Sequence, residues 1–170
     1  MQGAPEPADQ PSVTLPVDRL YVLEMWGAPP PDTTVAFRPG RARTVVLRHG
    51  PPDNTVFVEL AFPADLFADS TGDSVRLAIQ LRPGAYGLTV TTSKSFAGGA
   101  TLRFKYPVHF AAPAEARQKY GNTVYFEQAL RIGHQQDDGQ FKLLPSARPA
   151  SDNLQAEMPG PGTYIVAAPK

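Results

Sequence analysis

Nineteen prolines and fourteen glycines punctuate this chain, 33 of its 170 residues, and no apolar stretch runs far before one of them interrupts it. Proline fixes φ and removes a backbone donor, and glycine lets the chain turn. Such frequent breaks therefore favour many short strands over long helices. Between the breaks the apolar residues recur with period two. In residues 74–81, Val75, Leu77, Ile79 and Leu81 fall on one face and Arg76, Ala78 and Gln80 on the other, the clearest strand in the sequence.

The same pattern predicts strands at 12–15, 19–26, 33–38, 43–48, 55–62, 86–92 and 101–110. Pro107 inside the last of these implies a sheet edge or a bulge, because a central strand rarely accepts proline. The C-terminal part adds strands at 123–132, 140–144, 153–158 and 163–167. Asp137-Asp138-Gly139 suits a tight hairpin, since Asp-Gly tolerates positive φ, and Pro159-Gly160-Pro161-Gly162 is expected to close the next one. Helix is confined to one turn within 63–69 and about two turns over 113–120, with Pro113 suited to the first helical position and Gly121 to the stop. About eleven short strands and two helical scraps predict an all-β protein, an antiparallel, immunoglobulin-like β-sandwich, with a barrel as the lesser option. Residues 1–11, with three prolines and almost no large apolar side chain, read as an extended arm lying on its own domain or on a second chain. Residues 12–170 read as a single domain.

Composition narrows the function. Hydrophobic residues make up 42% of the chain and charged residues 19%, enough for a packed core. Sixteen basic side chains balance sixteen acidic ones, so nothing draws the whole molecule to nucleic acid or anionic lipid. With no cysteine, disulfides, thiolate zinc sites, thiol catalysis and cysteine-ligated iron–sulfur clusters are impossible. No apolar run approaches the roughly 20 residues of a membrane-spanning helix. The first residues show no basic, apolar leader, which leaves either a cytoplasmic protein or one whose signal was removed.

No motif carries chemistry. His49, His109 and His134 lie in separate segments without the local pairing that zinc sites usually show. His49 is expected in a loop, His109 in a strand as a partly buried ring, and His134 exposed beside the 137–139 turn. There is no G-x-S-x-G, no Walker-type loop and no calcium-loop spacing. The one adjacent carboxylate pair, Asp137-Asp138, sits in a turn rather than about 5–9 Å apart across a cleft, as a glycosidase requires. The reading is a protein without enzymatic activity, metal or cofactor.

Arg38, Arg41, Arg43 and Arg48 cluster around the Pro39-Gly40 turn. They form either a basic patch for an acidic partner or lipid headgroups, or the commoner charged guard of a sheet edge. Trp26, the only tryptophan, ends an apolar run before Pro29-Pro30-Pro31 and is expected in the core rather than at an interface.

Two stretches carry a family resemblance. Tyr86-Gly87-Leu88-Thr89-Val90 is followed by Phe96-Ala97-Gly98-Gly99-Ala100-Thr101-Leu102-Arg103-Phe104-Lys105-Tyr106. Further on come Leu130-Arg131-Ile132, Gly139-Gln140-Phe141, Leu144-Pro145-Ser146, Asn153-Leu154-Gln155-Ala156 and Gly162-Thr163-Tyr164-Ile165-Val166-Ala167. Across about residues 33–168 the pattern resembles bacterial relatives of the β-sandwich domain shared by zonula-occludens proteins, netrin receptors and ankyrins. The resemblance implies a non-enzymatic interaction module found on bacterial proteins outside the cytoplasm, with no catalytic residues to carry over. The insertion at 107–121 departs from the pattern and marks a place for a partner-specific feature.

Together these readings predict an accessory or scaffolding subunit of a larger assembly. By analogy, that assembly is a bacterial membrane complex of respiratory, secretion or photosynthetic reaction-centre type, and the subunit sits peripherally on its extracytoplasmic side. Its partners are other protein subunits, integral-membrane ones among them, and not nucleic acid. The contacts are expected at Pro5, Pro7 and Pro11 in the arm and at Arg38, Arg41 and Arg43 beside a sheet edge. The alternatives are a glycan-binding module with Tyr86, Tyr120 or Tyr125 as an aromatic platform, and a hydrolase assembled from distant strands.

Overall fold

The computed structural model describes residues 10–67, 73–107 and 112–170. Within them the chain forms two antiparallel sheets packed as a sandwich, with two short helices, as the strand pattern predicts. One sheet runs in the order β1 (Val13–Leu15), β10 (Phe141–Leu143), β9 (Arg131–Gln135), β12 (Gly162–Pro169), β7 (Gly87–Thr92), β6 (Val75–Leu81) and β3 (Thr33–Phe37). Its eighth strand, β2 (Leu20–Val22), pairs with the far end of β12. The other sheet runs β11 (Asn153–Met158), β8 (Ala100–Lys105), β5 (Val56–Phe62) and β4 (Arg43–Arg48).

Alternation explains which faces meet. Val75, Leu77 and Ile79 of β6 are buried while Arg76 and Gln80 reach solvent, and in the facing sheet Leu60, Phe62, Leu102 and Phe104 point inward. The centre of the interface is aromatic. Phe57 stacks on Tyr86 with ring centroids 5.2 Å apart and meets Phe104 edge-on at 5.8 Å. Burying side chains of this size contributes about 1.5–3 kcal/mol each, which outweighs the modest propensities of strands this short.

The 137–139 turn closes the β9–β10 hairpin as expected. Gly139 has φ +87°, and the Asp138 carboxylate accepts from the Gln140 N–H at 2.9 Å. The helix expected at 113–120 is α1 (Ala114–Tyr120), stopped by Gly121 at φ +90°. The turn expected at 63–69 is present as far as Phe67, and its last two residues lie outside the described ones.

Four expectations are corrected. Residues 123–132 do not form one strand: Thr123–Ala129 is a second helix, α2, and β9 starts only at Arg131. Thr, Val, Tyr and Phe favour strands, but the Asn122 side chain caps the helix by accepting from the Tyr125 N–H at 2.8 Å, and Phe126 is buried against Tyr21 and Tyr120. The turn at 159–162 closes no hairpin, because β11 and β12 belong to different sheets and the segment crosses between them. The run at 19–26 is a strand only at β2, preceded by a 3-10 turn at Val17–Arg19, so Trp26 lies in a loop at 82% exposure and not in the core. The strand expected at 101–110 ends at Lys105, before Pro107.

Candidate functional site

One end of the sandwich carries a cleft of about 250 Å³, bordered by Trp26, His49, Asp53, Tyr86, Lys105 and Asp152. Its parts come from the loop before β3, the loop after β4, the start of β7, the end of β8 and the start of β11. Trp26 stands at the rim.

The loop that displays Trp26 is pinned on both sides. The Met25 N–H donates to the Gly84 carbonyl at 3.0 Å, and the Met25 side chain is buried. Gly27 takes φ +94°, which turns the chain after the tryptophan. The Ala28 carbonyl then accepts two hydrogen bonds, from the Gly50 N–H at 3.1 Å and from His49 Nδ1 at 3.2 Å. A carbonyl can only accept, so Nδ1 carries the proton in this contact. His49 lies in the loop after β4, as expected, and acts there as a buried strut packed edge-on against Phe57 at 5.3 Å.

Polar groups line the rest. Lys105 Nζ lies 3.9 Å from an Asp152 carboxylate oxygen, and the other oxygen of Asp152 accepts from the Asn153 side-chain amide at 3.1 Å. Asp53 is exposed and enters no ion pair among the described residues. Burial pushes the Tyr86 hydroxyl up to about 12, with the nearby Asp53 charge adding to the effect, so it stays protonated at any physiological pH. Tyr106 lies behind. Its hydroxyl donates to Glu127 at 2.9 Å and accepts from Arg148 at 2.6 Å, and burial raises its pKa further still. The same Arg148 also donates to the Glu127 carbonyl, which ties α2 to this end of the sandwich. The cleft brings an exposed indole together with the Tyr86 hydroxyl, the Lys105 ammonium and two carboxylates.

The arginines expected to meet a partner occupy a different place. Arg38, Arg41 and Arg43 are exposed in and around the connection from β3 to β4, and their side chains make no ion pair among the described residues. Arg48, at the far end of β4, donates to the Asn54 carbonyl at 3.2 Å. β3 and β4 are the last strands of their sheets on one flank, where Phe37 of β3 packs at 5.9 Å against Phe62 of β5, the residue paired with Arg43 of β4. Among the described residues nothing pairs with the outer side of β4. The opposite edge of that sheet is covered, since Ala147 exchanges two backbone hydrogen bonds with Gln155 of β11 at 2.8 and 2.9 Å.

Pro11, with Gln10 the described part of the arm, is held to the domain. Its carbonyl accepts from the Arg131 guanidinium at 2.8 Å, and the Gln10 amide bonds to both backbone groups of Ser146. Pro5, Pro7 and His109 lie outside the described residues. His134 is not exposed as expected. It sits half-buried in β9, its ring stacked 4.5 Å from that of Tyr164 and Nε2 3.1 Å from the Pro161 carbonyl. The three tyrosines suggested as a platform do not assemble. Tyr86 is buried, Tyr120 is half-buried with its hydroxyl on the Pro169 carbonyl, and only Tyr125 is exposed. Among the described residues no three His, Asp or Glu side chains converge as a metal site would need.

Asp53, Lys105 and Asp152 escaped the sequence reading as a group because about fifty residues separate each from the next. Trp26 did carry a local signal, since three prolines right after it force the chain out of the sheet. No family model matches the chain, and neither does any curated protein or solved structure.

Proposed function

We propose that the chain is a non-catalytic accessory subunit that joins a larger protein assembly through the flank formed by β3 and β4. The observation that carries this reading is the edge of β4, unpaired among the described residues, beside arginines that form no ion pair with any described residue. An open edge is a template for another strand, and proteins normally cover, shorten or charge such edges. Here the strand is six residues long, and its solvent face carries Thr44 and the exposed Val46 between the charges. An extended segment of a partner, with acidic side chains flanking its strand, would satisfy the backbone groups and the arginines together.

The family resemblance adds the setting, an extrinsic subunit on the extracytoplasmic side of a bacterial membrane complex. Among the described residues no helix is long and apolar enough to cross a membrane, so attachment in this reading runs through partner subunits.

The test is co-purification of the tagged protein from native membranes in mild detergent, with the parent chain compared to an R38E/R41E/R43E variant. The parent should recover stoichiometric partner subunits, less of them as salt is raised. The variant should recover none, with an unchanged far-ultraviolet circular dichroism spectrum. Equal recovery of the same subunits by both chains would sink the reading.

A further inference from the structure

We propose that the cleft under Trp26 binds a single ring of a neutral, β-linked pyranose oligosaccharide. This site lies beyond the end of β4 opposite the Arg38–Arg43 turn, and does not depend on the accessory-subunit reading.

Three observations point to that ligand class. The first is the displayed indole: Trp26 is 82% exposed on a loop whose backbone is fixed on both sides by three hydrogen bonds, so that backbone needs no ordering when a ligand arrives. A pyranose with equatorial hydroxyls presents a flat face of C–H groups, and such a face stacks on an indole while its hydroxyls point sideways. The second is size. About 250 Å³ lies below the roughly 300–1,000 Å³ of sites for drug-sized molecules, and it suits one ring whose neighbours extend along the open rim.

The third is the polar complement. Asp53 and Asp152 offer carboxylate acceptors, the Lys105 ammonium donates, and the Tyr86 hydroxyl does either. Adjacent sugar hydroxyls both donate and accept, which matches this mixed set. The two carboxylates outnumber the one ammonium, so phosphate, sulfate and uronate groups are repelled. A purely apolar side chain would displace water from the exposed Asp53 carboxylate without offering it a donor.

Because Trp26 is the chain's only tryptophan, its fluorescence reports on this site alone. The experiment titrates the full chain with cellohexaose and with chitohexaose, and uses a heparin hexasaccharide as the charged control. At least one neutral sugar should shift the emission to the blue and reduce acrylamide quenching, saturating below about 10 mM, with no response to heparin. By calorimetry Trp26→Ala should abolish binding, and Asp53→Asn should weaken it about tenfold. Both side chains are exposed, so these variants should keep the parent melting temperature, and R38E/R41E/R43E should bind sugar as the parent does. Silence with both neutral sugars, binding that survives Trp26→Ala, or a response to heparin alone would each overturn the proposal. So would loss of a protein partner on Trp26→Ala without any sugar binding, which would place the indole in a protein interface.

Discussion

Replacing Arg131 by methionine keeps the aliphatic stem in place and removes only the guanidinium. That residue is nearly buried at 9% exposure, and among the described residues no carboxylate lies within ion-pair distance of it. Its donors go instead to three backbone carbonyls: Leu144 at 3.0 Å, Leu143 at 2.7 Å and Pro11 at 2.8 Å. Burial lowers the guanidinium's pKa, yet an arginine starts high enough to remain charged. Each charged hydrogen bond contributes about 1.5–3 kcal/mol, and the desolvation of the cation offsets several kcal/mol of that total. In the variant the Leu144 carbonyl keeps the Ser146 hydroxyl, and the Pro11 carbonyl can turn to water. The loss therefore falls mainly on the Leu143 carbonyl and on the tie between the arm and the sheet, about 2–3 kcal/mol. For a domain of this length that lowers Tm by about 5–10 °C, read by calorimetry, with faster amide exchange over residues 10–15. Arg131→Lys should recover less than half of the loss, since one ammonium cannot reach three carbonyls spread around a fork. A methionine variant within about 0.5 kcal/mol of the parent would refute the reasoning.

Two further outcomes follow from single contacts. Asn122→Ala removes the cap of α2 and should cost about 1 kcal/mol in urea unfolding, whereas Asn122→Asp should stay close to the parent. His134 should make the fold acid-sensitive: burial, with a smaller contribution from Lys142 across the hairpin, holds its pKa below the ordinary value despite the Pro161 hydrogen bond. The unfolded chain then takes up the proton first, so stability falls as pH drops through about 6.5 and toward the lower folded value, and is unaffected above about 7.5. Thermal melts between pH 8 and 5 should show this fall, and His134→Gln should flatten it. A parent profile already flat there would exclude the mechanism.

Strands with strict alternation were legible residue by residue. β6 and β5 lie where their apolar periodicity places them, because a half-buried strand writes its orientation into every second side chain. The Asp138-Gly139 hairpin and the Gly121 helix stop were equally local, each set by a residue that tolerates positive φ. Residues 123–129 misled because their intrinsic preference is for strand. The cap at Asn122 and the pocket for Phe126 between Tyr21 and Tyr120 decide for helix, and that pocket exists only once β2 is in place.

What the amino-acid sequence determined by itself is the all-β class, the positions of most strands, and the chemistry closed to a chain without cysteine. These follow from side-chain period, turn residues and atom types, which act within a few residues of chain. Only the tertiary structure decided that β11 and β12 part into different sheets and that β4 has no outer neighbour among the described residues. It alone brought Trp26, Asp53, Lys105 and Asp152 around one cleft, and aimed Arg131 at three carbonyls. Those outcomes depend on which strands pair across a hundred residues or more, and pairing is settled by the burial of whole faces against each other rather than by any local run of residues.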